Sequence, residues 1–120
     1  MDARRALLSR FYKALDAKDV DALMALVHPD VDFQAQLEGD DRLHGAAAVR
    51  NYYVRVLGLV IVESTPTAFH ARPDGRMEVR THHHVTSLDG ALWHDGLVDY
   101  SFDFRDGLIS RFDRLGELPG

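Results

Sequence analysis

The chain has 120 residues, no cysteine and a net charge of -5, with 19 acidic and 14 basic side chains. That length suits one ordinary domain, which buries about two-thirds of its unfolded surface around a single core. The missing cysteine excludes disulfides, thiolate zinc sites and thiol nucleophiles, and the interspersed charges leave no basic stripe to hold a nucleic acid.

The N-terminal stretch MDARRALLSRFYKAL is amphipathic and charged, without the apolar run and small-residue cleavage site of a signal peptide. No apolar stretch reaches membrane-spanning length, so a cytoplasmic protein without a membrane partner is expected. Leu7, Leu8, Phe11 and Leu15 recur at helical spacing and predict a helix from Ala3 to Ala17. Asp19 can cap a second, short helix from Val20 to Val27, ended by His28-Pro29 because a residue before proline avoids the helical region. Val31 to Leu37 alternates apolar and polar side chains and predicts a strand, followed by a loop at Gly39-Asp40-Asp41. After His44-Gly45, AAAVRNYYVRVLG puts Val49, Tyr52, Tyr53 and Val56 on one side of a third helix, closed by Gly58.

The period then changes to two. Leu59 to Ala71, Arg76 to Leu88, Ala91 to Arg105 and Leu108 to Leu115 read as four long strands. Pro73-Asp74-Gly75, Asp89-Gly90 and Asp106-Gly107 separate them, and Asp-Gly is a strong two-residue hairpin signal. The expected architecture is a single α+β domain, a curved antiparallel sheet wrapped around three N-terminal helices.

Two-residue loops fix register and therefore facing. An Asp89-Gly90 loop pairs Leu88 with Ala91, Val85 with His94, His83 with Gly96, Thr81 with Val98 and Val79 with Tyr100. Phe102 and Phe104 share that inner face. Arg80, His82, His84, Asp95, Asp99, Ser101 and Asp103 fall on the outer one. An Asp106-Gly107 loop pairs Phe104 with Ile109, Phe102 with Arg111 and Tyr100 with Asp113, which adds Arg111 and Asp113 to the interior. A β-bulge would flip every residue beyond it.

The element order, the segment HPDVDF, the helix LHGAAAVRNYY and the closing FDFRDGLISRF resemble the nuclear transport factor 2-like superfamily, in particular its SnoaL-like polyketide cyclases, ketosteroid isomerases and scytalone dehydratase-like members. The resemblance covers nearly the whole chain and implies a cone-shaped, cystatin-like α+β barrel with one internal pocket, commonly dimerising through the outer sheet face. Ketosteroid isomerases use an aspartate base with an oxyanion hole of one tyrosine and one protonated aspartate. By the resemblance Ala35 stands at the base, Phe11 at the tyrosine and Tyr100 at the second aspartate, so that mechanism is not expected here, and Tyr100 also replaces the aspartate acid/base of the cyclases. In the scytalone dehydratase-like branch an aspartate near the end of the first helix works with strand histidines, which makes Asp16 a candidate.

The catalytic candidates are His83 and His94 as acid and base, Tyr100 as oxyanion donor and Asp113 as its orienting group. The same residues also read as satisfied core side chains. Phe11, Asp16, Phe33, Ala35, Tyr53, Thr81, Val98, Phe102 and Arg111 are the expected ligand-lining residues. His82 and His84 share the outer face without an obvious third nitrogen ligand, so no metal site is expected, and no cofactor. The expected ligand is a small, largely apolar organic molecule. A cofactor-independent dehydratase, isomerase or aldol-type cyclase is the leading reading. A carrier or sensor, and a dimeric scaffold with a vestigial pocket, are the alternatives.

Overall fold

The computed structural model describes residues 2–35 and 42–117. The Gly39-Asp40-Asp41 loop and the predicted strand positions Gln36 and Leu37 lie outside them. Helix α1 spans Ala3–Asp16, and the Asp2 carboxylate caps it by accepting from the Arg4 amide at 2.9 Å. It buries Leu7, Leu8, Phe11, Tyr12, Ala14 and Leu15. Helix α2, Val20–Met24, is capped by Asp19 and stops three residues before the predicted end. The strand β1 begins there instead, at Val27, and runs through Gln34. Pro29 keeps His28 out of the helical region, and the Ile109 amide donates to the Leu26 carbonyl, so the segment joins the sheet at once.

A short strand not foreseen, β2 at Arg42–His44, pairs antiparallel with β1. Gly45 makes the turn into α3, Ala46–Leu57, with a φ of 86° and its amide donating to the Val31 carbonyl at 2.8 Å. Val49, Tyr52, Tyr53, Val56 and Leu57 are the buried side of α3. Strands β3 (Val60–Ala71), β4 (Met77–Ser87), β5 (Leu92–Arg105) and β6 (Leu108–Glu117) complete a six-stranded curved, unclosed sheet in the order β2-β1-β6-β5-β4-β3. The sheet is mixed rather than wholly antiparallel, because β1 and β6 run parallel. No helix among the described residues is long and apolar enough to cross a membrane.

Two departures from the ideal hairpins matter for facing. In β4–β5 the Ser87 amide donates to the Ala91 carbonyl, so Leu88 belongs to a three-residue loop and does not pair with Ala91. Trp93 is then an extra residue between the pairs Thr86–Leu92 and Val85–His94, and the two offsets cancel. From Val85–His94 onward the pairing is the expected one. In β5–β6 nothing cancels before Arg114. Phe104 pairs Ile109, but Asp103 pairs Arg111 and Phe102 pairs Phe112, so Ser110 is a bulge that flips β6 from Arg111 to Arg114, where a second shift follows.

Candidate functional site

The inner face is a wall of rings. Phe112 stacks on Phe33 at 4.5 Å between ring centres and on Tyr100 at 4.9 Å, and it leans on Phe102 at 4.9 Å. Phe102 meets Phe11 edge-on at 5.8 Å, and Phe33 meets Tyr53 edge-on at the same distance. Ala35 and Val98 are buried with them. Of the expected lining residues, Phe11, Phe33, Ala35, Tyr53, Thr81, Val98 and Phe102 are all inside.

Arg111 and Asp113 are not. The Ser110 bulge turns both to the outer face, where Arg111 binds Asp113 at 2.7 Å and Asp32 at 3.0 Å. Arg42 closes the group with contacts of 2.7 Å to both Asp32 and Asp113. Burial works against the charge on Asp113, yet the Arg111 and Arg42 guanidiniums hold its carboxyl below the ordinary aspartate range. These residues tie β1, β2 and β6 together. Asp113 therefore does not orient Tyr100, whose partner across the strands is Arg114.

The polar centre of the inner face is His83. Its side chain is 2% exposed, and its Nδ1 lies 2.9 Å from the Ser64 hydroxyl while its Nε2 lies 2.7 Å from the Tyr100 hydroxyl. Burial first, then the nearby charges of His94, Arg114 and His82, push its pKa down to about 4. A neutral imidazole has one donor and one acceptor nitrogen, so one hydroxyl gives its hydrogen to the ring and the other receives the ring's. With the hydrogen on Nε2, Ser64 donates to Nδ1 and Tyr100 accepts from Nε2. His94 is half-buried, and its ring centre is 6.5 Å from that of His83. The face therefore holds one enclosed imidazole and one that incoming molecules can touch.

Asp16, the last residue of α1, accepts the Ser64 amide at 2.8 Å. Burial raises its pKa above the ordinary aspartate value, against the opposing Ser64 amide, and Glu63 adds to the rise. Between α1 and β3 a cleft of about 230 Å³ is lined by Ser9, Tyr12, Lys13, Asp16, Ser64, Thr65 and Pro66. Tyr12 and Thr81 share a buried hydrogen bond of 2.8 Å.

Two residues of this site escaped the sequence reading. Tyr12 lies four residues after Leu8 on the buried stripe of α1, a signal that was present. Ser64 continues the Val60, Val62 alternation, but its place opposite His83 depends on the β3–β4 register. On the outer face His82 and His84 both bind Asp95, at 2.7 and 2.8 Å, and these bonds, His84 first, lower the Asp95 pKa. No group of three or more potential ligand side chains suited to a metal occurs among the described residues.

A family model described as a SnoaL-like domain matches residues 8–112. No curated protein matches the sequence. Among solved structures, a candidate polyketide cyclase from Xanthomonas campestris pv. campestris is 22% identical with a TM-score of 0.79, over 93% of this chain and 88% of that one. TerC, co-crystallized with polyporic acid, is 20% identical with a TM-score of 0.81, over 95% of this chain and 91% of that one. An LEH-like epoxide hydrolase from M. tuberculosis is 19% identical with a TM-score of 0.76, over 91% and 78%. At such identities the likeness is one of fold, and many reactions run on this fold.

Proposed function

The chain belongs to the SnoaL-like domain family, and from that premise we propose that it is a cofactor-independent proton-transfer enzyme, a dehydratase, isomerase or aldol-type cyclase. Its substrate is a cyclic, mostly apolar molecule carrying a carbonyl or hydroxyl. The observation that carries this reading is the buried string Ser64–His83–Tyr100 set into an aromatic wall. The wall supplies apolar contact for a ring system. Tyr100 supplies the hydrogen-bond donor for a carbonyl oxygen on which negative charge grows, backed by a neutral imidazole that can replace the hydrogen as it leaves. His94 is the second imidazole, exposed enough to take a proton from substrate carbon or oxygen.

One observation favours the second reading, a carrier: both nitrogens of His83 already have protein partners, as in a core histidine at rest. Polyporic acid, cyclic enones and hydroxyketones are the first probes, with binding read by NMR and turnover by absorbance. For a substrate that turns over, Tyr100→Phe is expected to lower kcat about 10²–10³-fold, the usual cost of one oxyanion donor, with binding changed only a few-fold. Tight binding without turnover by the unaltered protein would leave the carrier.

The proposal includes pairing of two copies through the outer sheet face. Ile61 and Leu92, 39% and 61% exposed, flank Thr86 on that face beside the His82–Asp95–His84 group, and Trp93 is 59% exposed at the same end. Leu92→Lys with Trp93→Lys is expected to convert a dimer to monomer in sedimentation. A monomeric unaltered protein at about 100 μM, already weaker than the micromolar range of stable association, would end this part of the proposal.

A further inference from the structure

Resting on the reading of His83 as a proton-handling group, we infer that its proton is exchanged with solvent through the cleft between α1 and β3, by way of the Ser64 hydroxyl, with Asp16 as the carboxyl group that serves the exchange. The substrate side of His83 is its Nε2, which faces Tyr100. The opposite nitrogen, Nδ1, faces Ser64, and Ser64 is 1% exposed yet forms part of the cleft lining. Ser64 therefore touches His83 through its hydroxyl and also borders the cleft. Asp16 stands at the same place on the cleft side, held by the Ser64 amide at 2.8 Å. The cleft volume of about 230 Å³ exceeds the roughly 30 Å³ that one liquid water occupies, so the cleft has room for water beside Asp16 and Ser64.

A proton leaves the Asp16 carboxyl for a cleft water as that water gives one to Ser64 Oγ. The hydrogen on Ser64 Oγ moves to His83 Nδ1, the one on Nε2 moves to the Tyr100 oxygen, and the Tyr100 hydrogen passes to the substrate oxygen. Solvent reprotonates the Asp16 carboxylate. His83 is left with its hydrogen on the other nitrogen. In an isomerisation the substrate oxygen returns that proton to Tyr100 as its carbonyl re-forms, so the reverse passage resets the ring. The raised Asp16 pKa suits the role, because it keeps a larger share of the carboxyl protonated than an ordinary aspartate would have. Solvent then reaches the imidazole without passing the bound substrate.

The test reads exchange of the His83 ring hydrogen with solvent by ¹⁵N-edited NMR after transfer to D₂O, with a cyclic enone present as the oxygen that takes the Tyr100 hydrogen and with no turnover required. Asp16→Asn keeps a carbonyl to accept the Ser64 amide but cannot give up a proton, and Ser9→Phe narrows the cleft without touching the string. Each is expected to slow exchange about tenfold or more, on the scale of general acid catalysis, as is Ser64→Ala. Unchanged exchange in both Asp16→Asn and Ser9→Phe overturns the route, as does slowing by Ser64→Ala alone. The catalytic reading fails on a different result, absence of turnover, so a carrier whose His83 still exchanges through the cleft separates the two.

Discussion

Replacing Phe112 with alanine is expected to cost about 3–5 kcal/mol of folding stability, the range for a fully buried ring. Phe112 is 1% exposed and is the ring on which Phe33, Tyr100 and Phe102 all rest, at 4.5, 4.9 and 4.9 Å between ring centres. Its removal opens a hole bounded by three strands, β1, β5 and β6. Those strands are held in register by backbone ladders, so the hole cannot close by sliding. Small domains have about 5–15 kcal/mol in total, so the variant should melt far below the unaltered protein and bind apolar dyes. Urea denaturation measures the loss, and a value below about 1 kcal/mol would mean that the inner wall is not built around this ring.

Acid should destabilise the protein through His83 over a definite range. Above pH 6.5 the ring is neutral both folded and unfolded, and it contributes no pH dependence. As pH falls from 6.5, the unfolded chain takes up a proton that the folded ring, with its pKa near 4, refuses. Stability attributable to this residue is therefore lost progressively between pH 6.5 and 4. The total is about 3 kcal/mol at the lower end, from a shift of between two and three pKa units. Asp16 works in the opposite direction, since its raised pKa makes the folded state the better proton acceptor. The two are separated by His83→Gln, whose amide can still bond Ser64 and Tyr100 but does not titrate. The difference between the two stability curves should slope across that window and be flat above it. A flat difference throughout would mean that the folded protein protonates His83 as readily as water does.

The sheet and its inner face were legible because strand alternation is a property of each strand alone. His83, Thr81, Val98 and Tyr100 fell on the correct face from the Asp-Gly signal and the period of two. That success rested partly on a cancellation, since the loop takes in Leu88 and Trp93 absorbs the offset. At Asp106-Gly107 the second offset comes only after Arg114, too late to rescue the reasoning, and Arg111 and Asp113 went to the wrong side. A bulge at Ser110 leaves no mark in composition. It answers to the need to place Phe112 under Phe33 and Tyr100, a demand that arises only when β1 and β6 meet. The start of β1 at Val27 was hidden for a similar reason. Nothing local distinguishes Val27 from the end of α2, and the parallel pairing with Ile109 decides it.

The parallel contact between β1 and β6 also bears on how the chain is made. Val27 and Ile109 are neighbours in space but 82 positions apart in sequence, and Phe33 is joined to Phe112 across a similar span. On the ribosome, where synthesis runs from the N-terminus, β1 emerges with the helices and then has no partner on that side until β6 is translated. The ring wall cannot assemble around Phe112 before Phe112 exists. Until β5 is made, α1 lacks the cover that Phe102 gives Phe11, a state that favours chaperone capture. Closing the inner wall thus waits on β6, and contacts of such long range make folding slow for a domain of this size.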